Sequence, residues 1–124
     1  MRAPLPAVIP DRIEDYAPGR IVVVPADEWP ISAPLETTGV RTAIPRYALD
    51  VRTLPVRIDP DRVRWLTEKV TTRPLDARHV HLTMHQGLLY LVKGHHTLAA
   101  QLITGAERVS VRLVRPLHLE SVDA

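Results

Sequence analysis

The spacing of apolar positions along the chain changes near residue 59. Downstream of it the periods are regular. Val63, Leu66 and Val70 recur at helical spacing behind Asp59-Pro60-Asp61. An aspartate can accept from the free amides of a first helical turn, and proline suits the first helical position, so a helix over about 60–70 is predicted. Arg62, Arg64 and Lys69 fall off its apolar stripe, with Trp65 at the edge. After a break at 71–74, Val80, Leu82 and Met84 alternate with His79, His81, Thr83 and His85, which is the period of a strand. Gln86-Gly87 is a turn, and 88–92 reads as the return strand of a hairpin. That strand runs through Lys93-Gly94 into a helix over 95–103, striped by Leu98, Ala99, Leu102 and Ile103. Gly105 ends the helix, and Val109, Val111 and Leu113 mark a last strand before Pro116.

The first half reads differently. Pro4, Pro6, Pro10 and Pro18 each fix φ and disfavour helix at the residue before, so no ordinary helix is expected ahead of residue 19. The apolar run 21–24 predicts a short buried strand, Asp27 is placed to cap one turn through Trp29, 31–39 reads as loop, and 41–52 predicts a single strand. The expected fold is a small α/β (α+β) domain, a mixed sheet with two main helices behind an irregular proline-rich leader. The divisions are a proline-rich extension at 1–40 packed on the domain, the domain proper at 41–116 and a tail at 117–124.

Composition narrows the chemistry. The chain has 124 residues and no cysteine, which removes disulfides, thiol catalysis and thiolate metal sites. No apolar stretch reaches the roughly 20 residues of a membrane span, and the N-terminus lacks a secretory signal, so a cytoplasmic protein without membrane contact is expected. The net charge of +2 hides an asymmetry: 1–40 holds three arginines against six acids, whereas 41–124 holds thirteen basic residues against eight acids. A basic body favours anionic partners. Arg41, Arg46, Arg52, Arg57, Arg62, Arg64, Arg73 and Arg78 crowd into 41–78, a pattern suited to nucleic acid or to plain solvation. Trp29 and Trp65 read as core or subunit-contact residues. His79 and His81 share a strand face with His85 near the turn; a metal site and a solvated polar face are both compatible with that spacing. No metal ligand set is assigned.

The strand-to-helix junction carries the most specific signal. Arg73-Pro74-Leu75, the hairpin through Gly87, then Tyr90-Leu91-Val92-Lys93-Gly94-His95-His96-Thr97-Leu98-Ala99-Ala100, Gly105 and the last strand together resemble the ParB N-terminal-like domain, the ParB/sulfiredoxin fold, over about 50–115. The chain is similar to small stand-alone members of the kind a phage encodes. The resemblance implies a phosphate site at Gly94, His95, His96 and Thr97, where the family carries a Gly-Glu-Arg-Arg stretch. Physical chemistry agrees, because first-turn amides are unsatisfied and lie at the positive end of the helix dipole. Lys93, Arg57 and Arg73 are the expected additional phosphate contacts, and Arg62, Arg64 and Arg78 the expected nucleic-acid contacts. The sequence departs from the family at Lys93, where many members have an acid, and at Thr97, where they have arginine.

Three functions follow as expectations. The first is a DNA- or nucleotide-phosphate-binding protein, in which any nuclease or nucleoside triphosphatase activity needs an added divalent ion and has no assigned catalytic residues; a nucleoside triphosphate with Mg2+ is the candidate cofactor. The second is a catalytically inactive module that binds a protein partner in DNA metabolism, such as a host factor. The third is a small-molecule phosphotransferase resembling the free-serine kinases of the fold, with Asp50, Asp59, Glu68 and Asp76 as candidate carboxylates. A homodimer is compatible with all three.

Overall fold

The computed structural model describes residues 5–32, 34–36, 38–72 and 80–117, with the side chains of 70–72 excepted. Arg73, Pro74, Leu75, Asp76, Arg78, His79 and the tail beyond 117 lie outside the described residues. Six strands and two helices follow in the order β1 (Ile21–Val23), β2 (Val40–Pro45), β3 (Val51–Thr53), α1 (Pro60–Thr72), β4 (His81–His85), β5 (Leu88–Lys93), α2 (His95–Ile103) and β6 (Arg108–Leu113). They form one mixed sheet in the order β1-β3-β5-β4-β6-β2. β1, β3 and β5 run parallel, β4 returns antiparallel to β5, β6 runs parallel to β4, and β2 closes the edge antiparallel to β6. The expected α/β class is therefore the observed one.

The helices form where the residues ask for them. Asp59 caps α1 as expected, its Oδ1 accepting from Asp61 N–H at 3.0 Å, while Val63 N–H donates to Asp59 C=O at 3.1 Å. Val63 and Thr67 are buried against the rest of the molecule, and α1 packs on α2. α2 presents Leu98, Ala99 and Leu102 to the core and ends at Gly105, whose φ of 82° admits the left-handed turn. Gly105 N–H donates to Leu102 C=O at 3.1 Å and Ala106 N–H to Gln101 C=O at 3.2 Å, which satisfies the last carbonyls. Arg46 adds a cation there, donating to Leu102 C=O at 2.8 Å.

Four expectations are corrected. The single strand over 41–52 is two: Pro45 and a 3₁₀ turn at Arg46–Ala48 break it, sending β2 to one edge beside β6 and β3 between β1 and β5. The turn at Ala26–Glu28 takes its cap position at Pro25 with no side-chain bond, so Asp27 is inside the turn rather than capping it. The histidine face of β4 is largely covered rather than solvated: His81 and Thr83 are buried and His85 is half-buried. Of the two readings of Trp65, core or subunit contact, its 55% exposure removes the first.

The proline-rich leader is also less separate than its composition suggests. Ile9, Ile13, Tyr16, Ala17 and Ile21 all enter the hydrophobic core beside Leu91, Leu98 and Val109. Tyr16 donates its hydroxyl to Pro10 C=O at 2.6 Å, and burial, with the Asp11 charge second, pushes its pKa up to about 12.

Candidate functional site

Two neighbouring parallel strands, β3 and β5, end on the same side of the sheet, and each leads to a helix N-terminus. β5 passes through Gly94 straight into α2, and β3 passes through 54–58 into α1. Parallel strands bind ligands outside their carboxyl ends, and both β3 and β5 end here. β5 is parallel to β3 and antiparallel to β4.

Gly94 makes the sharp turn possible. Its φ of 91° and ψ of 32° are left-handed, a region a β-carbon disfavours. No side chain caps α2, and its first intrahelical bond is Leu98 N–H to Gly94 C=O at 2.9 Å. The amides of His95, His96 and Thr97 precede that ladder and lie at the positive end of the helix. A pocket of about 230 Å³ opens in front of them, lined by Val56, Arg62, Lys93, Gly94, His95, His96 and Thr97.

The two histidines are fixed by different partners and carry opposite tautomers. His95 Nε2 lies 2.7 Å from Thr53 Oγ1. Because the threonine hydroxyl already donates to Leu54 C=O at 3.0 Å, it accepts from His95, which places the ring proton on Nε2. Burial, with the His96 charge second, pushes the His95 pKa down to about 4. His96 Nε2 instead accepts from Asp59 N–H at 3.0 Å, which places its proton on Nδ1 and ties the start of α1 to the start of α2. Burial lowers the His96 pKa, helped by the Arg62 charge and opposed by Asp59. Both rings are neutral near pH 7, so the cations of the pocket are Arg62 and Lys93.

A second, apolar cleft of about 310 Å³ adjoins this pocket through Val56 and His95, which line both. Trp29, Ile31, Leu54 and Leu91 form its walls. Trp29 is held edge-on against Tyr90, ring centroids 5.3 Å apart at 83°.

Of the expected phosphate contacts, Lys93, Gly94, His95, His96 and Thr97 come together around the pocket. Arg57 does not line it among the described residues; its guanidinium is exposed and paired to Asp11 at 2.6 Å. Arg62, expected as a nucleic-acid contact, joins the pocket, whereas Arg64 turns to Asp61 at 3.1 Å. Arg73 and Arg78 are outside the described residues. Thr53 and Val56 were missed, since a β3 threonine gives no sign in the sequence that it meets a histidine 42 positions later. Asp50 lies 3.7 Å from Arg52 and Asp59 caps α1, and no carboxylate lines the pocket among the described residues. No cluster of three or more metal-ligating side chains occurs among the described residues. No helix among them is long and apolar enough to cross a membrane. Comparison of the chain with protein-family models, with curated proteins and with solved structures gave no match.

Proposed function

We propose that the protein binds a phosphate group of a nucleotide or nucleic acid at the N-terminus of α2. The observation that carries this reading is the basic pocket at the start of α2, where Arg62 of α1 and Lys93 of β5 flank the amides of 95–97. The dipole end of α2 and point charges of one sign favour an anion, and Gly94 lets it come close to the backbone. The adjoining apolar cleft suits the body of a nucleotide whose phosphate sits in the pocket. The resemblance to ParB-like domains supports the same position.

Binding without hydrolysis is the form we favour. A Mg2+-dependent step needs carboxylate or other oxygen ligands, and the pocket's described lining offers no carboxylate. Titrating CTP, ATP and labelled duplex DNA into the protein at low and near-physiological salt tests the reading. Affinity for at least one is expected to fall as salt rises, and Arg62→Ala is expected to weaken it by about tenfold, the scale of one charge-assisted hydrogen bond. Saturating protein without a signal for any of the three ligands would contradict it.

A further inference from the structure

α1 carries a surface that pocket binding alone does not use. Arg62, Trp65 and Lys69 are spaced three and four residues apart, so they line one exposed stripe of the helix. The stripe starts in the phosphate pocket, because Arg62 lines it. Trp65 is 55% exposed, and the Lys69 ammonium sits 4.9 Å from the centre of its ring. That contact steadies the indole while leaving its other face open. Along the helix axis Arg62 and Lys69 are about 10 Å apart at 1.5 Å per residue, with the ring between them.

We propose that this stripe is a track for single-stranded nucleic acid leaving the pocket, with Trp65 as the stacking platform for a base and Arg62 and Lys69 as phosphate contacts. The proposal rests on the anion reading of the pocket and adds the class of ligand. Cations flanking an exposed aromatic ring suit a single strand, whose bases are free to turn onto the ring; a duplex keeps its base faces stacked inside, out of the ring's reach. The two cations of the stripe favour an anionic occupant. The acids nearest in sequence are each engaged: Asp59 accepts from Asp61 N–H at 3.0 Å, Asp61 pairs with Arg64 at 3.1 Å, and Glu68 also has a partner.

Fluorescence anisotropy with a labelled oligothymidine and a duplex of equal length, using the whole chain, tests the proposal. The single strand is expected to bind several-fold more tightly than the duplex. Trp65→Ala should weaken single-strand binding by about tenfold, the scale of one lost base stack, with duplex binding changed less than twofold and Trp65→Phe restoring most of the loss. Circular dichroism of Trp65→Ala guards against misfolding, and quenching of tryptophan fluorescence by the strand, smaller in Trp65→Phe where Trp29 is the remaining indole, gives a second readout. Equal binding of strand and duplex with Trp65→Ala neutral overturns the track. Loss of CTP, duplex and strand binding alike overturns the pocket reading as well. Nucleotide binding that survives with no oligonucleotide binding leaves the pocket and removes the track, and a protein partner that competes for Trp65 under those conditions would replace it.

Discussion

At the scale of single residues, the pocket is organised by which nitrogen of each histidine carries the proton. Thr53 forces His95 to donate from Nε2, and the Asp59 amide forces His96 to accept there. Replacing Thr53 by valine keeps the shape and leaves a half-buried N–H without that partner, which is expected to lower stability by about 1 kcal/mol in urea unfolding. pH enters through the same ring. A histidine titrates near 6.5 when unfolded, whereas His95 in the fold titrates near about 4, so between those values the unfolded chain binds the extra proton. The stability this contributes is complete above about pH 6.5 and is lost as pH falls towards 4. Its size is about 2 kcal/mol, reduced from the full shift because the ring keeps some solvent contact. Urea midpoints of wild type and His95→Gln across that range check it; the two should converge at low pH, and parallel curves would refute the assignment.

At the scale of elements, much was legible in the sequence. The helix over 60–70, the hairpin, the junction at Gly94 and the last strand follow from local periods and from Asp59, Pro60 and Gly105, all of which act within a turn or two of themselves. β2 and β3 were not separable, because what parts them is a tertiary choice of neighbour: one joins β6, the other slots between β1 and β5. The role of Gln101 was equally hidden. Its side chain donates to Ser110 C=O at 3.0 Å and accepts from Ser110 N–H at 2.8 Å, standing in for a strand on a stretch of β6 that β4 does not reach. Gln101→Leu leaves both backbone groups without that partner, and a loss of about 2–3 kcal/mol is expected. Gly39 sets the entry to β2 by contact rather than by φ, since a β-carbon there would collide with Leu113 O. Gly39→Ala is therefore expected to loosen the β2–β6 edge, read as faster amide exchange at Val40 to Ile44.

At the scale of the whole molecule, the leader and the basic body are one cooperative unit. Ile13 is fully buried in a core built from both halves, so Ile13→Ala is expected to cost about 2–4 kcal/mol in a single transition. Two separate transitions would show instead that the leader folds apart. The proline-rich composition signals irregular backbone, and which leader residues are buried depends on the few apolar residues between prolines. The candidate site was half legible. Its α2 side follows from Lys93 to Thr97, while its β3 and α1 sides, Thr53 and Arg62, arrive only through the fold.

The central claim is that an anion sits before the first turn of α2, and its most direct test is amide-resolved NMR while CTP is added. The His95, His96 and Thr97 amides and the Arg62 side chain should shift together along one saturating curve, and the curve should move to higher ligand concentration as salt rises. Shifts that leave those amides still, or that gather instead at Arg46 and Arg108 on the far side of α2, would contradict it.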